Sequence, residues 1–128
     1  MVRDLVTPLS SALMGLHEMI EVLRQRRRDG NYAGPTGLSL TPDDRTRFQQ
    51  VVDQINETMG GYAPGDVEGE DLAGRAYRLV VKVREAMQNM EYNDNDLFRI
   101  HGEVQTEICQ ILPDLPKKEM ASVREVYT

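Results

Sequence analysis

Along the first 23 residues the large apolar side chains fall at Val2, Val6, Leu9, Leu13, Leu16, Ile20 and Leu23, alternating steps of four and three. With 3.6 residues per turn, that alternation places every one of them on one side of a helix, which must then be buried. A strand repeats every two residues and cannot satisfy it. The same spacing returns at Phe48, Val52, Ile55 and Met59, at Leu72, Ala76, Leu79, Val83, Ala86 and Met90, and at Leu97, Ile100, Val104, Ile108 and Ile111. Four such seams predict an all-α fold, an antiparallel four-helix bundle. Aromatic residues make up 5% of the chain and Trp is absent, so the core must be aliphatic, which suits helix-on-helix packing better than a β-sandwich.

Helix ends are marked locally. Thr7-Pro8 reads as a cap followed by a first helical residue, so helix 1 starts at residue 7, or at residue 2 with a kink, and stops near Asp29-Gly30. Arg24, Arg26, Arg27 and Arg28 sit in its last turns, where the helix dipole favours cations. Residues 30–40 and 60–70 are rich in Gly and read as loops. Thr41-Pro42-Asp43-Asp44 opens helix 2 with a cap, a preset φ and two carboxylates, and Gly60-Gly61 closes it. Helix 3 is expected over about 69–91, and helix 4 from the polar cluster 93–96 to Pro113. Met120, Val123 and Val126 or Tyr127 predict a short fifth helix that covers the bundle or docks on another chain. The expected division is a bundle domain, 1–112, and a C-terminal extension, 113–128.

The formal net charge is −6, which disfavours nucleic acid as a partner. Residues 1–47 carry seven basic and six acidic side chains, whereas residues 48–128 carry eight and fifteen. No apolar run reaches the ~18 residues that a membrane span requires, and Asp4 and Pro8 interrupt any leader-like segment. An intracellular setting is expected, the cytoplasm, or the host cytoplasm for a viral chain. Cys109, the single cysteine, cannot form an internal disulfide.

Patterns that carry chemistry are incomplete. A di-iron bundle needs Glu-x-x-His pairs, but Met14 and Phe98 precede His17 and His101 by three residues. His101 and Cys109 share part of one helix face without the further ligands zinc requires, and read as a surface imidazole and a buried thiol. The run Asp66 to Asp71 has the start of a calcium loop, but Asp71 and Tyr77 stand where Gly and Glu are needed. Ser10 and Ser11 lie about 9 to 10 Å along the helix axis from His17, so no nucleophile-base pair forms. No catalytic residue, metal or cofactor is expected. Gly15 and Gly102, both inside predicted helices, read as points of close helix approach.

Arg3-Asp4-Leu5-Val6-Thr7-Pro8-Leu9 with Gly15-Leu16 resembles the H-box of histidine kinases and helical histidine phosphotransferases, His-Asp/Glu-Leu-x-Thr/Ser-Pro-Leu/Val. Thr41-Pro42-Asp43 resembles the start of that family's second helix. The resemblance implies a helical hairpin that dimerises into a four-helix bundle and meets a signalling receiver domain. Arg3 stands at the phosphoacceptor position and cannot carry a phosphoryl group, so phosphotransfer itself is not implied.

The leading functional expectation is a non-enzymatic protein-protein interaction protein, an adaptor or a subunit of a larger, homo-oligomeric or viral assembly. Its expected contact residues are Met14, Met19, Met87, Met90 and Tyr92 on helix faces, with Met120, Val123, Val126 and Tyr127 in the tail, because methionine-rich faces repack easily. The first alternative is a phosphotransferase-like bundle that binds a receiver domain without phosphorylating it. The second is a protein that sequesters a small anion or nucleotide through Arg27, Arg28 and Tyr32 beside the glycines of the 30–40 loop.

Overall fold

The computed structural model describes residues 5–29, 40–59, 72–89 and 94–127. They form α1 (Val6–Arg28), α2 (Pro42–Thr58), α3 (Leu72–Gln88), α4 (Asp94–Ile111), a single 3-10 turn (Leu112–Asp114) and α5 (Ala121–Tyr127). The result is an antiparallel four-helix bundle closed by a short C-terminal helix. Arg26 at the end of α1 bonds Asp44 at the start of α2, and Arg75 early in α3 bonds Glu107 late in α4, which fixes those pairs as antiparallel. Asn56 of α2 bonds Arg84 of α3, while Val51 and Met87 both approach Gly15, so α2 and α3 also run in opposite directions.

α1 is the hub. It packs on each of the other four helices, and it meets α3 across the short diagonal of the bundle, which holds α2 and α4 apart. Its seam is therefore wider than the sequence spacing implies: Pro8, Ala12, Gly15 and Met19 are buried beside Leu9, Leu13, Leu16, Ile20 and Leu23. Burying each such Leu or Ile stabilises the fold by about 1.5–3 kcal/mol relative to exposure. Gly15 permits close approach of α1 to both α2 and α3. A Cβ there would lie 2.7 Å from Val51 Cγ1 of α2 and 3.2 Å from Met87 Cε of α3. Gly102 plays no such part, since a Cβ added there meets nothing within 4 Å.

The start of α1 differs from expectation. The cap residue is Leu5, without a side-chain bond, and Thr7 lies inside the first turn. Pro8 follows at the third helical position, where its missing N–H removes no helical bond, so no kink is needed. The start of α2 is as read: Asp44 N donates to Thr41 Oγ1 at 3.1 Å, and Thr41 N donates to Asp44 Oδ2 at 3.1 Å. Burial alone would raise the Asp44 carboxyl, but bonds from Arg26 and Thr41 outweigh it and hold the group below the ordinary carboxylate range. Residues 69–71 and 90–93, expected at the ends of the third helix and the start of the fourth, lie outside the described residues, as do both predicted Gly-rich loops almost entirely.

α5 covers the bundle rather than projecting from it. Met120, Val123 and Tyr127 are fully buried, and α5 rests on both α1 and α4. Among the described residues no helix is long and apolar enough to cross a membrane.

Candidate functional site

The face between α3 and α4 carries a continuous set of polar and charged side chains. On α3, Arg75, Arg78, Lys82 and Glu85 follow one another at three- and four-residue steps, and on α4 Arg99, Glu103 and Glu107 follow at steps of four. That spacing aligns each set along one side of its helix, and antiparallel packing sets the two lines against each other. Arg75 donates from both Nε and Nη2 to Glu107 Oε1, at 2.9 and 2.8 Å, and from Nη2 to Gln110 Oε1 at 2.9 Å. Lys82 Nζ donates to Glu103 Oε2 at 2.7 Å, and Arg99 Nη1 to Glu103 Oε1 at 2.9 Å. Glu103 is thus shared by two cations, Lys82 first and Arg99 second, and its carboxyl is held below the ordinary range.

Two adjoining open grooves run along this face, of about 340 Å³ beside Arg75, Arg78 and Glu107 and about 210 Å³ beside Glu85, Ala86 and Arg99. Lys82 and Glu103 line both, so the two form one channel. From residue 75 to residue 86 a helix rises about 16 Å, enough to seat a short stretch of another chain. A further open groove of about 420 Å³ lies between the start of α1 and the 116–119 turn, lined by Val6, Thr7, Ser10, Ser11, Pro116 and Glu119. It gathers the hydroxyl groups of Thr7, Ser10 and Ser11 around a single charge, the Glu119 carboxylate.

The expected contact residues fall elsewhere. Met19, Met87, Met120, Val123 and Tyr127 are buried in the protein's own core, so they present no surface in this fold. The reason is that α1 buries two flanks and α5 folds back, which gives each of these side chains an intramolecular partner. Met14 and Val126 are half-buried against the core. Met90 and Tyr92 lie outside the described residues, and so does Tyr32 of the expected anion site. The other two residues of that site are engaged: Arg27 bonds Asn95 at 2.9 Å with its guanidinium 4.5 Å above Phe98, and Arg28 bonds Gln25 at 2.7 Å. Arg24 shares the Phe98 ring at 5.7 Å. The Asn95 bond ties Arg27 to the start of α4.

His101 and Cys109 exchange the places expected of them. His101 is buried, 8% exposed, with Nε2 lacking a hydrogen-bond partner among the described residues, whereas Cys109 is exposed. Burial, with Arg24 and His17 nearby, lowers the proton affinity of the His101 imidazole against a smaller opposing pull from Glu21. Among the described residues no three His, Cys, Asp or Glu side chains gather as a metal-ligand set. Thr7, Pro8 and Leu9 of the H-box-like stretch form the start of α1, and Arg3 lies outside the described residues.

In comparison with known proteins, the chain matches no family model, no curated protein and no solved structure. The α3–α4 face therefore stands on its own geometry. Its signal was present in the sequence, in the helical spacing of Arg75, Arg78 and Lys82 and of Arg99, Glu103 and Glu107.

Proposed function

We propose that the protein is a non-enzymatic α-helical interaction protein, an adaptor or assembly subunit, that meets a protein partner through the channel between α3 and α4. One observation carries this reading. Residues 48–128 hold fifteen acidic and only eight basic side chains, yet four of those eight, Arg75, Arg78, Lys82 and Arg99, line this one channel. They alternate there with Glu85, Glu103 and Glu107. Exposed ion pairs contribute only about 0–1 kcal/mol to a fold, so a partner of complementary pattern can exchange them without unfolding the bundle. The partner this suits is a short helical or extended protein segment that brings carboxylates to the four cations and a cation to Glu103 or Glu107. Charge complementarity of this kind chiefly sets specificity and association rate.

Site-specific photo-crosslinking in the native cell tests the proposal. A crosslinker at position 78, exposed on α3, is expected to capture one protein species, a distinct partner or a second copy of the chain. The same group at position 54, exposed on α2, is expected to capture none. Equal capture at both positions, or none at 78, overturns the assignment of this face.

A further inference from the structure

Tyr127, at the end of α5, is gripped by α1 and α4 together. Its Oη donates to the Leu13 carbonyl at 2.6 Å, and its own carbonyl accepts from Gln105 Nε2 at 3.2 Å and from Cys109 Sγ at 3.4 Å. Its ring stacks on His101 with centroids 5.3 Å apart and 28° between planes, and the His17 ring stands 6.2 Å away, tilted by 59°. The last turn of α5 is thus packed against two imidazoles, one from each of the helices it bridges.

The His101 ring is suited to that place only while neutral. Its Nε2 is buried with no hydrogen-bond partner among the described residues, so a proton added there creates a buried cation whose N–H is unpaired. The surroundings do not compensate. α1 presents Arg24 and His17, which oppose a positive charge, against Glu21, which favours one; α5 presents Tyr127; no charged group of α3 acts on the ring among the described residues. Burial pushes the Tyr127 phenol well above its ordinary range, so it stays neutral and offers no counter-charge. We infer that α5 is an acid-released latch: protonation of His101 expels the Tyr127 ring and frees α5 from α1 and α4, while the four-helix bundle stays folded.

α5 is the segment that yields because it is the least self-sufficient. Seven residues are too few to hold a helix in water, and it depends on Met120, Val123 and Tyr127 seated in the bundle. α1 to α4 hold one another through the α1–α2, α2–α3, α3–α4 and α1–α3 contacts without it. In the latched state the imidazole resists protonation; in the released state it meets water and takes up a proton near the ordinary histidine value of about 6.5. The released form therefore binds more protons, and acid favours it. Below about pH 6.5 the release equilibrium is expected to rise by up to about tenfold per pH unit, levelling off once His101 also titrates in the latched state. The latch is independent of the α3–α4 contact, and either can fail alone.

Hydrogen exchange on the full chain between pH 7.5 and 5.0, corrected for intrinsic rates and followed by mass spectrometry, tests the inference. Protection of residues 121–127 is expected to fall by up to about tenfold per pH unit below 6.5 while α2 keeps its protection. His101→Phe, which preserves a ring under Tyr127, is expected to remove the pH dependence; His17→Gln is expected to retain it. Constant protection of α5 across the range, an equal fall in His101→Phe, or simultaneous loss in all helices overturns the latch. Should His101→Phe not fold, NMR titration of the wild-type imidazole decides the matter: a His101 midpoint at or above the ordinary value overturns it.

Discussion

Replacing glycine by alanine at two positions of this bundle is expected to shift stability in opposite directions. In a helix interior the change ordinarily stabilises by about 0.8–1.0 kcal/mol, because alanine loses less backbone freedom on folding. At Gly102 nothing lies within 4 Å of the new Cβ, so that gain is realised in full. At Gly15 the new Cβ would lie 2.7 Å from Val51 Cγ1, about 1 Å inside ordinary carbon-carbon contact. Met87 Cε, at 3.2 Å, is the end of a flexible chain and yields readily. Val51 does not yield in the same way, since a β-branched residue in a helix has one strongly preferred rotamer. Overpacking of this kind costs about 1–3 kcal/mol, which outweighs the backbone gain and leaves Gly15→Ala less stable by about 1 kcal/mol. For a chain of 128 residues, 1 kcal/mol corresponds to about 4 °C in Tm. Urea titration and thermal melts followed by far-UV circular dichroism are expected to give a lowered midpoint for Gly15→Ala and a raised one for Gly102→Ala. Stabilisation of similar size at both positions would refute the close packing of α1 at Gly15 against α2 and α3.

Tyr127→Phe keeps the ring and removes the hydroxyl that bonds the Leu13 carbonyl, so at neutral pH a loss of about 1 kcal/mol is expected by denaturant titration. Thr41→Ala removes the side-chain half of the α2 capping box and is expected to destabilise by about 1 kcal/mol in the same assay. Asp44, held below its ordinary value in the fold, contributes stability that is present above the unfolded carboxylate range, about pH 4, and is lost as pH falls through the folded value. Accordingly, Asp44→Asn is expected to flatten the acid side of the stability profile below about pH 4, and an unchanged acid limb would show that the Arg26 and Thr41 bonds do not form.

The helices were legible because each carries apolar residues at helical spacing, as Phe48, Val52 and Ile55 do in α2 with Met59 at its C-cap, all four buried. The identity of the hub was not. α1 buries small or flexible residues beside its seam, Ala12, Gly15 and Met19, and one-dimensional spacing does not tell a flank that meets a second neighbour from one that meets water. Met19, Met87 and Met120, expected at a contact surface, are instead adaptable fillers of this wider interior. The reversal of His101 and Cys109 was readable in principle. His101 lies four residues after Leu97 and three before Val104, on the seam itself, while Cys109 lies seven after the exposed Gly102, on the solvent side. Residue chemistry favoured a buried thiol and an exposed imidazole, and helical position overrode it. The α3–α4 channel needed the antiparallel pairing of two separate helices before its charges formed one pattern, although each half of the pattern lay in the sequence.

A reversed ion pair tests the contact face most directly. Lys82→Glu combined with Glu103→Lys preserves an opposite-charge pair between α3 and α4, gives up the exposed Arg99–Glu103 pair, and inverts the pattern a partner meets at the centre of the channel. Native mass spectrometry of the chain isolated from its own cells, beside a thermal melt of the purified double variant, reads contact and fold separately. The expected result is a complex for the wild-type chain, none for the double variant, and a Tm changed by no more than about 2–4 °C, the effect of at most one exposed pair. A complex that survives the reversal would contradict the α3–α4 assignment.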